Sequence, residues 1–334
     1  MQTPLVSVLT PCYNSGHLIH RLLESVLSQS YPNVEMVVID DGSTDDSALV
    51  IKKYIPLFKK KGYTLRYYYQ DNGGQSVAIN NGLKLVNGSY LVWPDSDDYY
   101  SSPKAIELMV DFFITHPQAA IVRTMQRVVD EKDLRELYIQ GDNAVEDGQN
   151  LFEDCLFAKN GFYWGAGAYM IRFSALKETC NSTIYTEKHA GQNWQLFLPI
   201  LYTYPCYTLR VILYTIVACT DSHSRAGYKG YENILERINS YERTINETLE
   251  RIITLPNEKI VYYKQQVATK YCKERMNLAY DYNQTDEFIK EYNSLCIQAS
   301  PNLCAIDKLR YHAIKIRVDF LLRFFLRLYH KIIK

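Results

Sequence analysis

Three carboxylates fall within four residues of the stretch "YLVWPDSDDYY" (90–100): Asp95, Asp97 and Asp98. A second acidic pair, Asp40 and Asp41, ends an apolar run and precedes a glycine in "IDDGSTDD" (39–46). Side by side, such charges repel and resist burial. Clustered oxygen donors are what a hard divalent cation needs, and Mg2+ or Mn2+ would relieve the repulsion. A cation with so few protein ligands keeps waters and binds substrate phosphates, so the expected ligand is a phosphoanhydride. A D-x-D spacing alone says little. Two acidic turns at the ends of two apolar runs say more.

Both turns must be brought to one place, and the surrounding pattern supplies the means. "LVSVLT" (5–10), "VEMVVID" (34–40), "LRYYYQ" (65–70) and "SYLVW" (89–93) are short apolar runs of the buried-strand kind. Between them lie helical patterns: Leu18, Ile19, Leu22, Leu23, Val26 and Leu27 after a cap at Asn14 or Ser15, then 47–58, then 75–86. Ser43 and Asp46 have the spacing of a capping box for the second helix. Repeated βαβ units predict a parallel sheet with helices on its faces. Ligands of such sheets bind at the carboxyl ends of the strands, which is where "TPCYN" (10–14) and both acidic turns fall. For Asp45, Asp46 and Asp98 the plainer expectation is helix capping or solvation. From 103 to 225 the pattern is looser, with a helix near 103–115 and helical stretches near 148–158 and 190–202. Strands are expected there near 119–129, 167–172 and 207–218, mixed into the same sheet. Residues 231–300 read as polar helix.

Taken in order, "VSVLTPCYN", "VVIDDGSTDDS", "NGGQSVAINNGL" and "YLVWPDSDDYY" resemble the inverting family 2 glycosyltransferases, closely over about the first 100 residues and more loosely to about 225. The resemblance implies a GT-A type fold: a mostly parallel central sheet with flanking helices, here followed by a helical extension. It implies a nucleotide-diphosphate sugar donor, UDP-linked, and a glycan or lipid-linked oligosaccharide acceptor in bacterial cell-surface polysaccharide synthesis. Pro11 and Tyr13 would line the nucleotide base, Asp41 would accept a hydrogen bond from it, and Asp40 would support that loop. Asp95 would lie near the ribose or sugar, and Asp97 would reach an Mn2+ or Mg2+ ion on the two phosphates.

Relatives carry a Glu-Asp pair late in the domain whose Asp serves as general base. Here "EKHAGQNWQLFLP" (187–199) puts Gln192 and Asn193 at those positions, and neither amide takes a proton at neutral pH. Glu187 is the candidate base nearby, with His189 beside it, and Gln192 and Asn193 would orient the acceptor. In "TDSHSRAGY" (220–228), His223 is a candidate metal ligand and Arg225 a candidate phosphate clamp. Trp164, in an aromatic and glycine-rich run, could stack on a sugar or pack in the core.

The chain is 47% hydrophobic and 22% charged over 334 residues with zero net charge, which fits a globular protein and excludes a global nucleic-acid footprint. The charge is unevenly placed. Residues 307–334 hold eight Lys/Arg against two Asp, a net of +6, leaving −6 on the rest. Lys308, His312, Lys315, Asp319, Arg323, Arg327, His330 and Lys334 form one polar stripe on an otherwise apolar helix. That is the pattern of an in-plane membrane helix, the other occupant of its apolar face being the catalytic domain or a second copy in a homo-oligomer. The eight cysteines lack paired spacing and predict buried free thiols in a reducing cytosol. With no signal-peptide pattern and no long uncharged apolar run, the expectation is a cytoplasmic enzyme held at the inner face of the membrane. Three parts are expected: a catalytic domain at 1–228, a helical extension at 229–306 and the basic helix at 307–334. Two other classes compete. A sugar nucleotidyltransferase would need a glycine-rich, basic loop after the first strand, which "PCYNSGHLIHR" lacks. An inactive nucleotide- or glycan-binding scaffold is suggested only by the missing Glu-Asp pair.

Overall fold

The computed structural model describes residues 3–142, 147–218, 229–297, 304–316 and 319. The first ninety residues follow the predicted alternation: β1 (Val6–Cys12), α1 (Ile19–Leu27), β2 (Val34–Asp41), α2 (Ser47–Lys61), β3 (Thr64–Gln70), α3 (Gln75–Leu83) and β4 (Tyr90–Val92). Every residue of β1 and β2 is buried, so apolar side chains on both faces meet helices. β2, β1 and β4 run parallel, with Val8 opposite Met36 on one side and Val92 on the other. Because β4 stops at Val92, Pro11 lies beyond one neighbour, where a missing N–H is tolerated.

The second half adds β5 (Tyr99–Tyr100), α4 (Ala105–Thr115), β6 (Ile121–Asp130), β7 (Glu136–Gln140), α5 (Phe152–Phe157), β8 (Tyr169–Arg172), α6 (Phe173–Cys180), α7 (Asn193–Thr203) and β9 (Cys206–Ala218). The strand order is β3-β2-β1-β4-β8-β6-β9-β5, with β7 hydrogen-bonded to β6. β8 pairs antiparallel with both β4 and β6, so the sheet is mixed: its parallel first half is joined to the second half through one reversed strand. Among the described residues four further helices follow: α8 (Tyr231–Arg251), α9 (Asn257–Asp281), α10 (Thr285–Ile297) and α11 (Ala305–Lys315).

The chain divides into two compact units rather than three successive segments. One holds Met1–Ala226 together with Arg243–Ile260, and the other holds Gly227–Glu242 and Val261–Lys334. In the first, Ile253 N–H donates to the Thr179 carbonyl at 2.9 Å and Thr254 pairs with the Thr203 hydroxyl at 2.8 Å. These bonds tie the 243–260 stretch to the ends of α6 and α7. In the second unit, Met276, Tyr280, Phe288, Tyr292, Leu295 and Ile314 share one core. Tyr311 stacks on Tyr292 with ring centres 4.2 Å apart, so the first turns of the basic helix pack against α10. Asp307 caps that helix and is buried against Lys273 at 3.1 Å. Half of the basic stripe, from Arg323 on, lies outside the described residues, among which no helix is long and apolar enough to cross a membrane.

Five cysteines, Cys12, Cys155, Cys180, Cys206 and Cys272, are buried free thiols as expected. Cys296 and Cys304 are exposed instead, since both sit at ends of second-unit helices, and Cys219 lies outside the described residues.

Candidate active site

Three turns meet at the carboxyl ends of β1, β2 and β4. The turn after β1 is knitted to the turn after β2: Asn14 N–H donates to Ser43 Oγ at 2.9 Å, and Thr44 N–H donates to Asn14 Oδ1 at 2.8 Å. Asp45 receives the Gly16 N–H and the Ser47 N–H, both at 2.9 Å. Asp45 therefore caps the start of α2, while the expected Ser43–Asp46 box does not form and Asp46 makes no side-chain cap bond. α1 likewise begins without a side-chain cap, its first N–H groups bonding the Ser15 carbonyl. Ser15 Oγ meets Ser96 Oγ at 2.8 Å, joining the β1 turn to the acidic turn after β4.

Asp40 is fully buried, accepting from the Ser43 N–H at 2.8 Å and the Tyr67 hydroxyl at 2.6 Å. Asp41 takes the Gly73 N–H at 2.9 Å and Gln70 Nε2 at 2.7 Å on one oxygen, and the Gly74 N–H at 2.8 Å on the other. Gly42 and Gly74 are required by geometry. Gly42 has φ +81° and abuts Asn72, while Gly74 has φ +92° and a Cβ there would stand 2.4 Å from the Lys188 carbonyl oxygen.

The acidic turn after β4 is built differently. Asp95 Oδ1 accepts from Gln75 Nε2 at 3.0 Å and from Gln192 Nε2 at 2.9 Å. Asp95 is half-buried as a residue, but its carboxyl lies deep enough that desolvation, then the charge of Asp97, pushes its pKa up to about 7 against the Gln192 bond. Asp98 is neither solvated nor a helix cap. It is buried and accepts the Val217 N–H at 2.9 Å and the Tyr214 hydroxyl at 3.2 Å, and desolvation followed by its two acidic neighbours raises its pKa well above the carboxylate range. Asp97 is half-buried between them.

The second-half residues are brought in by α7. Gln192 and Asn193 open it; Gln192 Oε1 and Asn193 Oδ1 are buried with no protein donor, although Asn193 Nδ2 reaches the Trp164 carbonyl at 3.2 Å. Trp164 packs edge-on to Trp194 and Phe162, with ring centres 5.1 and 4.7 Å apart, and is part of an aromatic cluster. Glu187 keeps company that does not suit a base. Arg243 Nη2 lies 2.6 Å from Oε1 and Nε 3.3 Å from Oε2, and the Tyr185 hydroxyl donates to Oε2 at 2.8 Å. The Arg243 bond, against some desolvation, and then the Tyr185 bond hold its pKa below the usual range. Lowered basicity and occupied lone pairs make it a weak proton acceptor. Asp221, His223 and Arg225 lie outside the described residues. Arg243 was invisible as a partner of Glu187, being 56 residues away with no pattern to connect them.

Among the described residues no three His, Cys, Asp or Glu side chains come close enough to hold a cation unaided. The donors that are present, half-buried Asp95 and Asp97 in one turn, are hard oxygens whose mutual repulsion a divalent cation would relieve, so they fit one whose remaining positions are filled by phosphate oxygens and water.

The family model for "Glycosyl transferase family 2" matches residues 7–179, just over half of the chain. The chain belongs to glycosyl transferase family 2. The match takes in β1 through α6 and therefore all three turns. Relatives include an uncharacterised glycosyltransferase of Rickettsia typhi, 35% identical over 33% of this chain and 32% of its own length. Chondroitin synthase of Escherichia coli is 34% identical over 45% of this chain and 20% of its length. Glycosyltransferase GlyA of Streptococcus pneumoniae is 29% identical over 45% of this chain and 21% of its length. The match thus spans a third or less of these relatives. Among solved structures, Staphylococcus aureus TarS 1-349 in complex with UDP-GlcNAc superposes with a TM-score of 0.62 at 19% identity, over 98% of this chain and 92% of that one. A Pyrobaculum calidifontis mannosyltransferase in complex with GDP-Man and Mn2+ gives 0.53 at 14% identity, over 97% of this chain and 87% of that one. The family 2 catalytic fold here is of the GT-A type, with a helical region after it.

Proposed function

We propose that this glycosyltransferase moves a sugar from a UDP-linked donor to a hydroxyl of a glycan or lipid-linked oligosaccharide, with inversion, in bacterial cell-surface polysaccharide synthesis. The observation that carries the reading is the meeting of the Asp41, Tyr13 and Asp95–Asp97 turns at one edge of the sheet, with Gln192 bonded across to Asp95. Pro11 and Tyr13 line the base, Asp41 and the loop it holds recognise it, and Asp40 supports that loop. Asp95 lies by the ribose or sugar. Asp97, with His223, would hold Mn2+ or Mg2+, and Arg225 would clamp the diphosphate. Bound there, the cation neutralises the departing nucleoside diphosphate as a Lewis acid.

The acceptor hydroxyl attacks the anomeric carbon from the face opposite the diphosphate. Gln192 Oε1 and Asn193 Oδ1, buried without donors, are suited to receive its hydrogen bonds and those of its neighbours. Asp95 is held in place beside Gln192 by the Gln192 Nε2 bond at 2.9 Å. The UDP-bound and UDP-GlcNAc-bound TarS structures and the Mn2+-bound mannosyltransferase support the donor class and the cation. The +6 charge of 307–334 supports a peripheral position at the cytoplasmic membrane face.

Calorimetric titration of the full chain with UDP and with GDP, in Mn2+ and in EDTA, tests the reading. UDP binding that needs the metal and disappears in Asp97→Ala is the expected result. No nucleotide binding under any condition overturns it. Binding without transfer to any glycan acceptor leaves the scaffold reading.

A further inference from the structure

Residues 183–192, between α6 and α7, have no helix or strand of their own, yet they touch both halves of the candidate site. The Glu187 carbonyl accepts from Ser76 Oγ at 2.9 Å and the Lys188 carbonyl abuts Gly74, beside the loop that Asp41 holds. Gln192, at the other end, bonds Asp95. A loop without internal structure is held in place only by what packs on it. On the inner side, Gln195 bonds both backbone groups of Tyr185, at 2.6 and 3.1 Å, and the Gly191 carbonyl at 2.8 Å.

On the outer side lies the 243–260 stretch. Its far end is fastened to α6 through Ile253 and to α7 through Thr254, the two helices that flank the loop. From there α8 runs back, and Arg243 meets Glu187 in the middle of the loop through two nitrogens. One helical turn pair further along, Arg251 lies over the Tyr185 ring at 5.3 Å, and that same tyrosine donates to Glu187. Between Arg243 and Arg251 there is about 12 Å of helix, so the loop is met at two points, Tyr185 and Glu187. Isolated, a half-exposed Arg–Glu pair contributes little. Here both partners are fixed, one by a helix anchored at two points and the other by Tyr185 and Ser76, so the pair fixes position at small entropic cost.

We propose that the 243–251 half of α8 is a strap across the 183–192 loop, that Arg243 is a positioning residue for glycosyl transfer, and that Glu187 is its structural partner, not the acceptor's base. The functional part rests on the proposed placement of the acceptor at Gln192 and Asn193. The strap sets the distance from these amides to Asp95 and leaves the Asp41 loop to its own bonds.

Hydrogen exchange and steady-state kinetics of the full chain, compared for wild type, Arg243→Ala, Arg243→Lys and the swap Glu187→Arg/Arg243→Glu, test this. Amides of 185–192 should exchange about tenfold faster in Arg243→Ala, less so in Arg243→Lys, and near the wild-type rate in the swap. Turnover should fall about tenfold or more in Arg243→Ala while UDP affinity in Mn2+ stays within about threefold, and the swap should recover most of the turnover. Unchanged exchange in Arg243→Ala overturns the strap. Native-like exchange in a swap that has no turnover overturns the structural role of Glu187 and returns it to the part of base. Should the wild type itself transfer no sugar, the proposed function fails while the exchange rates still decide the strap.

Discussion

Two acidic turns, about fifty residues apart at the same sheet edge, treat their charges in opposite ways. After β2, Asp40 and Asp41 have each oxygen met by a backbone N–H, a tyrosine hydroxyl or a glutamine amide. After β4, Asp98 also has both oxygens met while Asp95 takes its two donors on one oxygen, but both are desolvated beside Asp97 and both are driven toward the protonated form. A saturated carboxylate is part of the scaffold, whereas a crowded one holds free energy that a cation releases on binding. The difference separates the turn that shapes the site from the turn that waits for charge.

Substitutions can break this contrast. Asp97→Ala, at the crowded turn, should lower transfer on the order of a thousandfold, read as kcat/KM for the donor, while leaving the fold intact. Asp41→Asn, at the saturated turn, should do damage of another kind. It replaces one acceptor oxygen with an NH2 donor that must face either the Gly73 or the Gly74 N–H, so the unfolding free energy should drop by about 2 kcal/mol in denaturant titration, with nucleotide binding lost as well. If Asp41→Asn melts like the wild type, the division between the turns does not hold.

Glu35 sharpens the comparison, because it is a saturated carboxylate at the opposite end of the sheet. Desolvation would raise its pKa, but bonds from Ser7 at 2.6 Å, the Asn87 N–H at 2.6 Å and Arg66 at 2.7 Å bring it below the usual range. A lowered folded pKa means stability that is complete at neutral pH and lost as pH falls through that folded value. Glu35→Gln should therefore be less stable by about 2 kcal/mol at pH 7, the gap closing below about pH 4. Asp95 has the reverse sign. Its folded pKa of about 7 makes its contribution present in acid and lost as pH rises through 7. In EDTA the wild type should melt higher at pH 6 than at pH 8, and Asp97→Asn should gain about 1 kcal/mol at pH 8 and lose part of that dependence. A flat profile in both proteins would show that the crowding is not felt.

Local signals in the chain carried the first half of the molecule. β1, β2, β3 and β4 stand within two residues of where apolar runs and glycine turns place them, because each run is set by its own residues and by the turn that ends it. What escaped depends on long separations. Asp98 looked like a solvated turn residue and is buried because Tyr214 and Val217 come back to it from β9. Glu187 looked like a free acid, and only the return of 243–260 reveals its partner. β5, two residues long, and α6, which begins directly after β8, leave no periodicity of their own. Of the candidate site, the turns were legible from residue types and spacing, while the state of each carboxylate was not, since hydration is a property of the whole surroundings.

The reversed strand β8 also imposes an order of assembly. β1 pairs with β2 and β2 with β3 across one helix each, and β4 joins β1 by residue 92, so all four can form while the rest of the chain is still being made. β8 reaches β4 only after some eighty further residues, and Val217 reaches Asp98 across 119. On the ribosome, the nucleotide half would stand complete while its last acidic residue was still in water. The active edge is thus finished by the same late strand that finishes the sheet, and a chain cut short before Tyr214 would keep the Asp41 cradle yet leave the β4 turn unlatched.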